Sequence, residues 1–240
     1  MKKVFYFAAA MLLTMGMVSC EIEDDGGDGG SNNSNTSDSP TSTEWVDLGL
    51  PSGLLWASCN LGTSTIGQYG NYYAWGETQP KSVYSWDTYQ YGDYDSDNGN
   101  TLYKYNTYEG FGHVDGITTL ENIDDAARAA RGGGARMPTA SEWQELLTNT
   151  TSQWTRVNNT YGRLFTASNG NSVFFPAAGR KMGEELGGEG ESGLYWTASL
   201  SENSPISARC CYLTSDDRNL TVSSRDRGLT IRPVRPASKQ

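Results

Sequence analysis

The chain has 240 residues, with 28 acidic against 18 basic side chains, a formal charge of −10 and a pI near 4.6. That balance argues against nucleic acid or an anionic membrane surface as a partner. One histidine and four cysteines leave little material for Cys/His or Ser/His catalysis.

Lys2 and Lys3 precede an apolar run over residues 4–18, interrupted only by Thr14 and Gly16. The run is too short to span a bilayer and has the form of a secretion signal. Residues 17–20 (MVSC) resemble a bacterial lipobox, although Met17 stands where Leu is commoner. Residues 1–19 therefore read as a lipoprotein signal peptide, and Cys20 as the lipidated first residue of the mature chain. Removing them takes away two lysines and leaves 16 basic against 28 acidic residues, a net charge of −12. Glu21, Glu23, Asp24 and Asp25 follow. They are either an acidic tether like those that send some lipoproteins to the outer face of the outer membrane, or a solvated linker. Residues 26–43 hold only Gly, Ser, Asn, Thr, Asp and one Pro. Such a segment cannot offset its ordering entropy by burial, so residues 20–44 read as a disordered stalk. The expected location is the outer membrane, exposed on the cell surface, with the membrane touched through a lipid anchor only.

Residues 45–236 are long enough for one domain with its own core, leaving 237–240 as a tail. Residues 46–48 and 54–57 read as short strands around the tight turn of 49–53 (GLPSG). Residues 69–75 continue the strand pattern. Ten tyrosines and two tryptophans lie between Tyr69 and Tyr108 with no sustained period. This reads as a long irregular region held by aromatic packing. Residues 124–130 suggest a short helix or turn. In residues 136–147 (RMPTASEWQELL), Thr139 and Glu142 have capping-box spacing, and Trp143, Leu146 and Leu147 share one helix face. Residues 163–166 and 172–175 read as a hairpin, 187–193 as a flexible acidic loop. Residues 194–199, 208–213, 220–223 and 229–234 read as successive strands. No long internal repeat is present.

Six blocks then occur in order: residues 46–57 (VDLGLPSGLLWA), 69–78 (YGNYYAWGET), 136–143 (RMPTASEW), 175–179 (FPAAG), 194–199 (LYWTAS) and 231–235 (IRPVR). Together they resemble the Fibrobacter succinogenes major paralogous domain family, abundant in secreted and lipid-anchored bacterial surface proteins. One departure is Arg131, where such proteins often carry Trp before the glycines. The resemblance implies an α+β, C-type-lectin-like fold of short antiparallel strands and long loops with one or two helices. It is related to the sulfatase-modifying, formylglycine-generating domain. In that fold the first and last strands pair, which here would join residues 45–48 to 230–234. Fold does not fix function, which must be argued from a site.

The formylglycine-generating relatives work through cysteines, but Cys210 and Cys211 are adjacent in an expected strand and would face opposite ways. An oxidoreductase is the third reading. With Cys20 lipidated, Cys59, Cys210 and Cys211 remain, either one disulfide and a free thiol or three buried thiols. His113 lies in a Gly-rich loop. Asp93, Asp95 and Asp97 resemble the first half of a calcium loop. The register departs, with Asn98 where Gly belongs and Lys104 where the bidentate Glu belongs, so a solvated acidic turn competes with calcium. No other cofactor is expected, and the sugar motif of the C-type lectins is absent. Residues 187–193 lack the Lys-Ser/Thr of a phosphate cradle.

Two surfaces remain for recognition. The aromatic region offers Tyr84, Trp86, Tyr89, Tyr91 and Tyr94 for stacking on sugars or anchoring a protein. The polar segments 214–219 and 223–227 offer Asp216, Asp217, Arg218, Asn219, Arg225, Asp226 and Arg227 for hydrogen-bonded recognition. The leading expectation is a non-catalytic binding module for a glycan or protein ligand. The alternative is a structural or tip component of a surface appendage, whose ligand is another subunit.

Overall fold

The computed structural model describes residues 45–237; the expected signal peptide, Cys20 and stalk lie outside them. The strands are β1 (Trp45–Asp47), β2 (Leu54–Ala57), β3 (Gly92–Asp95), β4 (Gly99–Leu102), β5 (Thr150–Val157), β6 (Thr160–Ala167) and β7 (Ser172–Pro176). They continue as β8 (Ala178–Met182), β9 (Glu185–Glu189), β10 (Gly193–Leu200), β11 (Ser207–Leu213), β12 (Arg218–Ser224) and β13 (Val234–Pro236). The helices are α1 (Ala126–Arg131) and α2 (Ala140–Asn149). Among the described residues this is an α+β fold dominated by strands.

Helix α2 starts where its sequence places it. Thr139 Oγ1 accepts from the Glu142 amide at 3.3 Å, and Glu142 Oε2 accepts from the Thr139 amide at 2.8 Å. Two amides that the helix start leaves free are thereby satisfied. Arg136 closes a 2.5 Å ion pair on the same carboxylate. Trp143, Leu146 and Leu147 are buried against Trp56, Phe175, Tyr195, Cys211 and Leu213. Trp143 meets Trp56 edge-on at 5.0 Å and Phe175 at 5.0 Å.

The main sheet runs β12-β11-β10-β8-β9. Because side chains alternate along a strand, β10 and β11 divide their residues between two cores. Tyr195, Cys211 and Leu213 join the α2 side, whereas Leu194, Trp196, Ala208 and Cys210 join Trp75, Tyr105, Met137 and Ile231 on the other. The adjacent cysteines thus face opposite ways. Cys59, Cys210 and Cys211 are all buried free thiols. Burial pushes Cys210 up to about 12 and Cys211 well above its usual value.

The terminal strands share a sheet, but not as neighbours: its order is β1-β2-β13. The Leu50–Gly53 turn, closed by a 2.9 Å backbone bond, folds β1 onto β2, so only the far edge of β2 is left for β13. The expected strand over 229–234 is also shorter. Leu229 and Thr230 instead make single bridges to Tyr73 and Tyr195. Pro233 has no amide to donate, and Arg232 turns inward. Arg232 donates to the carbonyls of Ala57, Ser58 and Phe174 at 2.7–3.0 Å and lies 4.5 Å over the Phe175 ring.

Two further differences concern hairpins. Residues 187–193 are not a free loop, because β9 pairs with β8 up to Glu189. Strand β5 pairs with β6 through Asn158 and Asn159, both with positive φ (48° and 65°), which suits a tight hairpin turn.

The aromatic region is ordered by edge-to-face contacts and by the buried carboxylate of Asp124. Trp75 meets Tyr105 at 5.0 Å, Trp86 meets Tyr89 at 5.2 Å, and Tyr91 meets Tyr105 at 5.9 Å. Asp124 accepts from Tyr91 at 2.6 Å, from Lys104 at 2.6 Å and from the Tyr105 hydroxyl.

Candidate functional site

The residues that sequence reasoning grouped into recognition surfaces separate in three dimensions. Asp216 and Asp217 are exposed at the turn between β11 and β12, and Arg218 and Asn219 are half-buried beside them. Asp217 is committed to that turn: it accepts from the Arg218 amide at 2.7 Å and from Asn219 Nδ2 at 2.5 Å. Arg218 reaches back to the Thr150 carbonyl at 3.4 Å, and Arg163 holds the Thr214 carbonyl at 2.5 Å. The turn is stitched to the neighbouring sheet and presents Asp216.

Arg225 and Asp226 do not belong to an exposed face. Arg225 is 0% exposed, and its guanidinium lies 5.1 Å over Trp75 and 5.2 Å over Tyr89. It donates to Tyr89 Oη at 2.9 Å and to the carbonyls of Lys104, Tyr105 and Pro205 at 2.9–3.2 Å. The irregular loops carry carbonyls with no strand partner, and the guanidinium fork satisfies several of them at once. Asp226 is buried, accepts from the Ser224 hydroxyl and lies 3.8 Å from Arg227 Nε. Arg227 is half-buried.

Tyr89 is likewise an internal ring. It is buried, donates to the Trp75 carbonyl at 2.6 Å, and burial pushes its hydroxyl pKa far above the usual value. Trp86 is half-buried and sits over Gly92, where an added Cβ would come 3.0 Å from the indole. Tyr89 presents no stacking face, and Trp86 is covered on its Gly92 side.

Asp93, Asp95 and Asp97 lie on or beside the β3–β4 hairpin without converging. Asp95 Oδ1 accepts from the Asp97 and Asn98 amides and from Asn98 Nδ2, each at 2.9 Å, which makes it the clamp of the turn. Those bonds hold its pKa below the usual value. Asp93 Oδ1 accepts from the Tyr94 amide at 2.7 Å. No group of three His, Cys, Asp or Glu is placed to hold a metal among the described residues.

The rings that do face solvent are others. Tyr94 is 51% exposed, Tyr103 62% and Tyr108 63%, all on β3, β4 or the segment that follows. Tyr108 leans on Phe111 at 5.9 Å, and exposed Val114 and His113 lie a few residues further. Beneath this arm sit the Asp124 cluster and Arg225, through Lys104 and Tyr105. Sequence reasoning named Tyr94 but missed Tyr103 and Tyr108. No local signal separates them from Tyr105, which has the same polar neighbours and is buried.

No protein-family model, curated protein or solved structure matches the chain. Its function therefore has to be read from these surfaces. A concave feature of about 330 Å³ lies at the β8–β9 hairpin and is lined by Arg180, Met182, Glu185, Leu186 and Tyr212.

Proposed function

We propose that this chain is a surface-anchored outer-membrane lipoprotein, lipidated at Cys20. Residues 45–236 would form a non-catalytic, C-type-lectin-like module that binds a glycan or protein ligand. The observation that carries the proposal is the tyrosine arm: Tyr94, Tyr103 and Tyr108 are more than half exposed on a segment whose base is tied to buried Arg225 and Asp124. Exposed tyrosines on a rigid support give contact area at low entropic cost, with a hydroxyl for hydrogen bonding. The burial that raises the Cys210 and Cys211 thiol pKa values, and the solvent-exposed single histidine, favour binding over nucleophilic chemistry. Six ordered sequence blocks and the strand-dominated α+β architecture support the lectin-like assignment.

The test is a glycan array and a cell-surface protein capture, run with the full chain and with a Tyr94→Ala, Tyr103→Ala, Tyr108→Ala variant. The variant should keep its melting temperature, because these rings are exposed, and lose at least about tenfold in affinity, in line with aromatic hot spots. Unchanged binding by the folded variant would remove the arm as the recognition surface.

A further inference from the structure

A polar cleft lies away from the tyrosine arm, between residues 62–71, the β5–β6 turn and the end of β9. It is an open depression of about 530 Å³, lined by Thr63, Gln68, Tyr69, Asn71, Thr160 and Glu189, together with glycines of the loop.

The wall formed by residues 62–71 has little freedom to move. Gly62, Gly67 and Gly70 all have positive φ (91°, 93° and 73°). A Cβ would come 2.5 Å from Asn71 Cγ at Gly62, 2.9 Å from the Val157 carbonyl at Gly67 and 2.4 Å from the Leu61 carbonyl at Gly70. Asn158 Nδ2 donates to the Ile66 carbonyl at 2.8 Å, and the Asn71 amide to the Leu61 carbonyl at 2.8 Å. The backbone is therefore pressed into shape by close contacts before any ligand arrives, which lowers the ordering cost of binding.

The lining is amide, hydroxyl and carboxylate, with one aromatic ring and no aliphatic side chain. Thr63 Oγ1 donates to Gln68 Oε1 at 2.8 Å, which fixes the Gln68 amide and leaves its Nε2 hydrogens for a ligand. Tyr69 and Glu189 both line the depression, and burial together with the Glu189 charge raises the Tyr69 hydroxyl pKa. Side-chain amides and a carboxylate beside an aromatic ring match the hydroxyls and the C–H face of a sugar. The lone charge, Glu189, is negative and repels an anionic one.

We infer that this cleft is a binding site for a neutral sugar residue, with Glu189 and Gln68 hydrogen-bonding its hydroxyls. The site rests on reading the chain as a binding module, but not on the tyrosine arm.

The experiment is titration of the full chain with methyl glucoside, methyl galactoside, methyl mannoside and glucuronate, followed by calorimetry and amide chemical shifts. At least one neutral glycoside should bind with Kd of about 1 mM and move the amides of 62–71, with glucuronate at least about tenfold weaker. Glu189→Gln should weaken the neutral glycoside about tenfold and narrow its advantage over glucuronate. Gln68→Ala should weaken it as well. Both side chains are exposed, so both variants should fold. Binding of no neutral glycoside, equal binding of glucuronate, or indifference to both substitutions overturns the site. The arm variant separates the two readings: it should retain glycoside binding at the cleft. Loss of an array ligand in that variant, with a cleft that no glycoside shifts, leaves the arm standing and removes this proposal.

Discussion

Arg225 donates four hydrogen bonds from a position with no exposed surface, and three of them end on loop carbonyls. Removing it strands those carbonyls in an aromatic setting and leaves the Tyr89 hydroxyl with only its bond to the Trp75 carbonyl. Arg225→Ala is expected to cost about 3–5 kcal/mol in chemical denaturation, and Arg227→Ala less than about 1 kcal/mol. A variant of Arg225 therefore reports on folding, whatever it does to binding. Asp124 sets part of the acid response. Burial alone would raise its pKa, but hydrogen bonds from Lys104, Tyr105 and Tyr91 hold it below the usual 3.8. Its contribution is present above the unfolded value and is lost as pH falls through the lower folded value. Glu142, held below 4.5 against burial by Arg136 and Thr139, behaves the same way. Asp125 has the opposite sign: burial raises it despite amide bonds from Ala127, Arg128 and Met137, so it favours folding below 3.8 and less as pH rises. The melting temperature should fall on acidification below about pH 4. Asp124→Asn should flatten that limb, and an unaltered limb would show that Asp124 contributes nothing to it.

At the scale of elements, α2 was legible because its signal is local: the cap, the box partner and the buried face lie within nine residues, from Thr139 to Leu147. Thr139→Ala should cost about 1 kcal/mol, read as a lowered denaturation midpoint. Strands β10 and β11 were legible for a similar reason, since each alternates between two cores. Strand β5 was missed because Thr150–Val157 is half-exposed and polar, and only its Asn158–Asn159 turn marks it. The close packing of β6 against β7 was also hidden. A Cβ at Gly162 would come 2.2 Å from the Phe175 carbonyl, which is backbone and cannot move aside cheaply. Gly162→Ala should destabilise by about 2 kcal/mol or more. A neutral outcome in thermal melts would mean that the hairpin tolerates separation.

Across the whole molecule, what the sequence concealed was which polar residues are inside. The segment 223–227 (SSRDR) has the composition of a solvated turn, yet Arg225 and Asp226 are buried, because the loop carbonyls needing a donor come from residues 104, 105 and 205. Nothing within a short window reveals such a long-range need. The aromatic region shows the same limit. Its rings look alike in sequence, but Tyr84, Tyr89 and Tyr105 are buried while Tyr94, Tyr103 and Tyr108 face water.

The sheet that unites both ends of the domain has a mechanical meaning. Trp45 lies at the open end of the β1–β2 hairpin, opposite Ala57, with the Arg235 and Arg131 guanidiniums 4.5 and 5.7 Å from its ring. Tension drawn through residue 45 loads the β1–β2 rungs in sequence, because the hairpin opens like a zip from that end. Such a geometry yields at lower force than one in which all rungs are sheared together. β1 would peel first and lengthen the chain while β2 and β13 stay paired, at the cost of the Val46 contact with the α2-side core. If the chain is anchored ahead of residue 45 as proposed, load reaches this hairpin before it reaches the surfaces proposed for recognition.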